Sequence, residues 1–330
     1  MGNRQPVRER HMDGRGTEEK LVGIVGLGIM GGAISANLVQ RGWSVIGYDI
    51  DEARRREATG AGVAVVDDVS QLAARSQTIM TSLPTPAAAR MVAQTIALEP
   101  SPRTVVELST FALDDKLEFK SILDAGNHVA LDCPLSGTGA QAKMRDLVVY
   151  ASGDSAAIKR CEPLFADFAK QSVDLGTYGN GSRMKFVANL LVAIHNVAAA
   201  EAMMIAESAG LDLRQVIECV GPGAGGSRMF QMRAPMMASR SYAPATMRVA
   251  TWKKDMTIID QFVSELGCAA PLFASTAPIY ETALAMGFAD QDTASVFEVF
   301  KSPHAQGAEA VQQEASKSLG RLHPQEPHES

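Results

Sequence analysis

Residues 179–191 read GNGSRMKFVANLL, and within them Lys185 and Asn189 lie four positions apart in a segment that is otherwise mostly apolar. A spacing of four puts two side chains on one helical face, one above the other. An ammonium group there is costly to bury unless it works on something bound beside it. These residue types can do chemistry: an amine can take or give a proton, and an amide can hold a hydroxyl with both donor and acceptor.

A second cluster lies near the start of the chain. Gly26, Gly28 and Gly31 follow the β-branched run LVGIV, open the helix-like MGGAISANL, and precede Asp49 at the end of a second strand, WSVIGYD. In that setting a GxGxxG pattern is a dinucleotide fingerprint. Gly26 permits the turn, Gly28 lets backbone approach a pyrophosphate, Gly31 lets helix pack on strand, and the helix N-terminus attracts phosphate. Gly26, Leu27, Gly28, Ile29 and Met30 are thus expected against a cofactor. Asp49 can accept hydrogen bonds from both hydroxyls of an adenosine ribose and repels a 2′-phosphate, so NAD is expected, with NADP the alternative. In that alternative Arg54, Arg55 and Arg56 take the phosphate, although DEARRREA also reads as a solvated helix face.

These residues need a scaffold. Strand patterns recur at 63–66, 77–83, 103–109, 128–134, 147–153 and 172–176, most of them separated by helical segments such as TPAAARMVAQTIA and SAAIKRCEPLFADFA. Such alternation predicts an α/β domain of Rossmann type, a mostly parallel sheet with helices on both faces. After Gly181 the strand signals stop. Residues 182–210 can form one helix of roughly 40 Å at 1.5 Å per residue, ending at Gly210, with further helices at LDLRQVIECV, KKDMTIIDQFVSELG and PLFASTAPIYETALAMG. The expected organisation is a flexible tail (1–20), a nucleotide-binding domain (21–180), an all-helical domain (181–302) joined by the long helix, and a polar C-terminal tail (303–330) with one short helix.

Composition narrows the function classes. The 330 residues are 46% hydrophobic and 21% charged, with a net charge of −6, which disfavours nucleic-acid and anionic-membrane partners. The N-terminal segment lacks the apolar core of a signal sequence, and no run of about twenty uncharged apolar residues marks a membrane span. Cys133, Cys161, Cys219 and Cys268 are scattered; they read as reduced core thiols of a cytoplasmic protein, with no metal site. His195, mid-helix, reads as a packing residue, and the methionine-rich run 229–237 as a domain or subunit contact. GPGAGGSR either carries Ser227 and Arg228 toward a cleft, where Arg228 selects an acidic substrate, or is a flexible loop.

Several ordered motifs resemble those of the β-hydroxyacid dehydrogenase family, over about residues 21–300. GLGIMGGAISANL resembles the family's GLGxMGxxxAxNL. TSLPTP is similar to the loop after the fourth strand, which implies Leu83 and Pro84 along the cofactor. ELST is similar to D-x-S-T, which implies Thr110 near the nicotinamide, with Glu107 where aspartate is usual. DCPLSGTGA resembles the D-A-P-V-S-G-G loop, which implies that Ser136, Gly137 and Thr138 bind a substrate carboxylate; Thr138 replaces a glycine, and KMRD departs from the usual A-x-x-G. GNGSRMKFVAN resembles G-x-G-x-x-x-K-x-x-N-N, implying Lys185 as the catalytic lysine and Asn189 as substrate ligand. WKKDM resembles the K-D-L motif and implies Lys254, rather than Lys253, at substrate and cofactor, with Asp255 orienting it.

The resemblance implies an oxidoreductase that moves a hydride between NAD(P) and a small carboxylate-bearing β-hydroxy acid, and the apolar faces of the helical domain suit a homodimer or homotetramer. Rival readings are an imine reductase or a non-catalytic dinucleotide-binding protein on the same scaffold, both of which typically lack the lysine.

Overall fold

The computed structural model describes residues 20–301. The expected tails, apart from Lys20, lie outside the described residues.

The N-terminal part alternates strand and helix. Its strands are β1 (Leu21–Val25), β2 (Ser44–Tyr48), β3 (Ala64–Val65), β4 (Thr78–Thr81), β5 (Thr104–Glu107) and β6 (Val129–Asp132), interleaved with α1 (Ile29–Gln40), α2 (Glu52–Gly60), α3 (Val69–Arg75), α4 (Pro86–Ile96) and α5 (Leu113–Ala125). They form a six-stranded sheet in the order β3-β2-β1-β4-β5-β6, parallel throughout. Successive side chains of a strand point to opposite faces. Val22, Ile24, Met80, Val106 and Leu131 accordingly pack with Ile34 and Leu38 of α1, while Val25, Ile79, Val105 and Ala130 pack with Leu72 of α3, Ile96 of α4 and Leu123 of α5. Apolar residues on both faces are what a parallel sheet covered on both sides requires.

Beyond β6 the chain forms a second, three-stranded sheet from β7 (Leu135–Ser136), β8 (Val148–Ala151) and β9 (Gln171–Asp174), with α6 (Gly139–Lys143) and α7 (Ser155–Phe168) between them. The β7–β8 pair is antiparallel. Neither β7 nor α6 is legible as an element in the sequence.

The rest is helical: α8 (Asn180–Ser208), α9 (Leu213–Val220), α10 (Arg228–Ser239), α11 (Val249–Glu265), α12 (Pro271–Ala285) and a closing 3-10 segment (Thr293–Lys301). Phe186, Ala193, Val197, Ala200 and Met203 put one face of α8 into a core with Phe230, Met237, Trp252, Ile259, Tyr280 and Phe297. By length and composition α8 could cross a membrane, but this face is buried in protein.

Three expectations need correction. Of the two alternatives for GPGAGGSR, the flexible loop fails at its end: Ser227 caps and Arg228 opens α10, the Ser227 hydroxyl accepting from the Phe230 N–H at 3.0 Å, while the methionine-rich run lies within that helix and packs through buried Met229 and Met237. Helix α11 starts at Val249, ahead of the KKDM segment. Cys133 and Cys161 are buried, but Cys219 and Cys268 are exposed, so only the first pair fills a core; burial pushes the Cys161 thiol up to about 11.

Candidate active site

The glycine turn lies where the strand order reverses, between the C-terminal ends of β1 and β4, and the Ser82 N–H donates to the Val25 carbonyl there at 2.9 Å. Parallel sheets of this kind bind ligands in that crevice. Gly26 has φ +92°, and a Cβ on it would lie 2.1 Å from the Ser82 carbonyl oxygen. A Cβ on Gly31 would lie 1.9 Å from the Gly26 oxygen, whereas a Cβ on Gly28 would meet nothing within 4 Å. Two glycines are thus demanded by packing, and the third leaves open space where a pyrophosphate must approach. The residues present fit a dinucleotide.

Asp49 follows β2, and its carboxylate accepts from the Leu27 N–H at 2.7 Å and the Asp51 N–H at 2.8 Å. The acid is thereby fixed beside the turn. Arg54 pairs with Glu57 at 2.9 Å and Arg56 with Glu52 at 2.7 Å along α2, as a solvated face would. Arg55 differs: its guanidinium folds back and donates to the Asp49 carbonyl at 2.6 Å.

The other loops expected at the cofactor meet at Ser109, whose hydroxyl accepts from the Leu83 N–H at 2.9 Å. Pro84 is exposed and Thr110 half-buried. The Thr110 carbonyl accepts from Lys254 of α11 at 2.8 Å, so the helical domain touches the loop expected at the nicotinamide.

Lys185 lies half-buried in the second turn of α8, with buried Asn189 one turn on. Asn189 Nδ2 donates to Asp255 Oδ2 at 3.1 Å, and Asp255 pairs with Lys254 at 3.4 Å. The four residues foreseen from two separate motifs thus form one cluster between α8 and α11. Burial chiefly holds the Lys185 pKa below the ordinary lysine value; Asp255 opposes this and Lys254 adds to it. Burial likewise raises the Asp255 carboxyl above the usual range, against the pull of Lys254 and Lys185.

Ser136 ends β7, and Gly137 follows with φ +135°. Thr138 is committed differently from the expectation. It caps α6 in a reciprocal box with Gln141, whose amide oxygen accepts from the Thr138 N–H at 3.0 Å, so hydroxyl and N–H are both engaged within the loop. Gln141 in turn donates to Asp146 at 3.2 Å, and Arg228 reaches Asp146 from α10 at 3.3 Å.

Sequence reasoning missed a buried ionic cluster beneath these loops. Lys116 of α5 pairs with Glu107 and, at 3.0 Å, with Asp132; all three are fully buried. Within the segment LDDKLEF the lysine reads as an exposed helix charge, and no local signal reveals its partners.

Two family models match in succession: the NAD binding domain of 6-phosphogluconate dehydrogenase over residues 21–178, and the NAD-binding domain of NADP-dependent 3-hydroxyisobutyrate dehydrogenase over residues 179–300. The chain belongs to the β-hydroxyacid dehydrogenase family. Its cofactor is NAD(P), and it is an NAD(P)-dependent hydroxyacid dehydrogenase. It is 27% identical over 288 residues to a probable 3-hydroxyisobutyrate dehydrogenase of Mycobacterium tuberculosis, a match spanning 85% of this chain and 98% of that protein. It is 29% identical over 297 residues to the L-threonate dehydrogenase of Escherichia coli, spanning 88% and 97%. A solved structure of the Mycobacterium tuberculosis 3-hydroxyisobutyrate dehydrogenase with L-serine superposes with a TM-score of 0.78 at 26% identity, covering 86% of this chain and 99% of that one. Members of the family thus share both halves of the architecture with this chain.

Proposed function

We propose that the protein is an NAD-preferring dehydrogenase of small β-hydroxy acids in which Lys185 is the general acid/base. The observation that carries this reading is the environment of Lys185: an amine made less basic by burial, one helical turn from an amide fixed by Asp255. A lysine at its reference pKa of about 10.4 is seldom neutral near pH 7, so a lowered value is what proton abstraction needs.

NAD(P), when bound, supplies the hydride acceptor and donor. The chain's own groups do the rest. Neutral Lys185 takes the hydroxyl proton in oxidation, and its ammonium returns a proton to the oxygen in reduction. Asn189 keeps one amide N–H and its oxygen for the substrate hydroxyl while Asp255 holds the other N–H. The Ser136 hydroxyl and Gly137 N–H receive the carboxylate, and Thr138 joins them only on releasing Gln141. Leu83, Pro84 and Thr110 face the cofactor, and Lys254 links the Thr110 loop to Asp255.

Asp49, pinned by two backbone N–H groups beside the glycine turn, supports NAD. The exposed face of α8 carries Met184, Val187, Leu191 and Ile205, a stripe of helical spacing that supports a homodimer or homotetramer with α8 against a second copy, and the unpaired cysteines support a cytoplasmic location.

The deciding experiment assays 3-hydroxyisobutyrate, L-threonate, tartronate semialdehyde, succinic semialdehyde and glyoxylate with NAD(H) and NADP(H), in the unaltered protein and in Lys185→Ala. The expected outcome is NAD-linked turnover of at least one of them, lost by about 10²-fold or more in the variant, the usual scale of general acid/base catalysis. Near-normal turnover in Lys185→Ala sinks the assignment.

A further inference from the structure

The register of the large sheet sets Glu107 directly beside Asp132, at the C-terminal ends of β5 and β6. Two carboxylates on adjacent strands, both fully buried, repel each other and forfeit hydration. Lys116 enters between them from α5 and pairs with both. Burial works against its ammonium, but Asp132 and Glu107 outweigh it and hold its pKa above the ordinary value. The lysine is therefore the cation that permits this register.

Each carboxylate has a second task, and the two tasks point to different halves of the site. The other oxygen of Glu107, Oε1, accepts from the Ser109 N–H at 2.8 Å, and the Ser109 hydroxyl takes the Leu83 N–H at 2.9 Å. Glu107 thus fixes the loops assigned to the cofactor. Asp132 accepts from the Ser182 N–H at 2.7 Å and from the Ser182 hydroxyl at 2.9 Å; it holds the first turn of α8, three residues before Lys185. Phe111 adds a second path, since the ammonium groups of Lys116 and Lys254 each lie 5.7 Å from its ring centroid.

We propose that Lys116 is a positioning residue for hydride and proton transfer: by clamping Glu107 to Asp132 it sets the spacing between the cofactor-side loops at Leu83 and Ser109 and the turn of α8 that carries Lys185. It touches neither cofactor nor substrate. Its effect is geometric, and displacements of about 1 Å at reacting groups cost on the order of 10²-fold in rate. The inference rests on the functional reading above, which assigns those loops to the cofactor and Lys185 to the proton.

Lys116→Met alone leaves two carboxylates facing each other and can fail to fold. The informative variant is Lys116→Met with Glu107→Gln, in which the amide introduced by the second substitution still accepts from the Ser109 N–H and can donate to Asp132. The expected result is a folded protein that binds NADH, followed by its fluorescence, within about threefold of the unaltered affinity. Its kcat falls about tenfold with a larger primary deuterium isotope effect on β-deuterated substrate, and amide hydrogen exchange at residues 181–185 speeds up, as a displaced catalytic turn requires. A variant with a lowered Tm but unchanged kcat, isotope effect and exchange overturns the inference and leaves the functional reading standing. Absence of NAD(P)-linked turnover in the unaltered protein overturns both.

Discussion

Asn189 and Asp255 are joined across 3.1 Å between α8 and α11, and the same aspartate pairs with Lys254. This one carboxylate therefore orients the Asn189 amide and, with Lys254, tunes the charge felt by Lys185. On the proposed mechanism oxidation needs the neutral amine, so its rate is expected to rise with pH through the Lys185 pKa, along a limb whose midpoint lies below the ordinary lysine value. Asp255 raises that pKa and Lys254 lowers it. Asp255→Asn is therefore expected to move the limb to lower pH and Lys254→Met to higher pH. Profiles of kcat against pH for the three proteins check this, and parallel shifts in both variants would contradict it.

Lys185→Met is expected to separate stability from activity. The native state holds this lysine below its unfolded pKa, so between the two values the unfolded chain binds more protons and stability rises with pH. The penalty is present below the unfolded value and is fully present below both. Removing the amine while keeping an apolar stem should thus raise Tm at pH 7 and abolish turnover by about 10²-fold or more. Calorimetry at pH 7 tests the sign, and the gain should shrink as pH rises through the native pKa.

The residues that can be read from the sequence are those whose roles are written in short spacings. Gly26, Gly28 and Gly31 declare a turn because their demands are local, and Lys185 with Asn189 declare a face because four residues make one helical turn. Lys254 and Asp255 are placed by family motif, and the fold joins them to Asn189. Lys116 is invisible in the sequence: its charge is ordinary in an amphipathic helix, and its partners Glu107 and Asp132 are brought to it only by parallel register. The chain's departures from the family pattern are visible, but their consequences are not. Thr138 is expected at substrate, yet its hydroxyl is drawn into the α6 cap by Gln141. Helix α10 is hidden because Pro235 is unfavourable inside a helix, and packing on α8 and the Ser227 cap override that preference.

Asp49→Asn should shift the choice of cofactor. The asparagine oxygen can keep one of the two backbone N–H contacts, but the charge that repels a 2′-phosphate is gone, and Arg55 already reaches the Asp49 carbonyl. The expected result is a kcat/KM for NAD lower by about tenfold, roughly 1.4 kcal/mol, together with a gain for NADP. Steady-state kinetics with both cofactors measure the ratio; an unchanged ratio would show that Asp49 does not read the ribose.

Gly181→Ala tests how tightly α8 is seated. A Cβ at this position would lie 2.3 Å from the Tyr150 carbonyl oxygen and 2.6 Å from that of Asp132. Both are backbone atoms at sheet ends, so neither can rotate away as a side chain would. The Gly181 N–H also donates to the Ser152 hydroxyl at 2.9 Å, next to the contact between Asp132 and Ser182. Relief requires the first turn of α8 to lift off the sheet, which loosens those bonds and moves Lys185. The expected cost is about 1–3 kcal/mol or more, the scale of overpacking against a rigid surface. In urea the unfolding midpoint should fall with an unchanged m-value, and kcat should drop with it, because the turn that must lift is the one that carries Lys185, the proposed general acid/base.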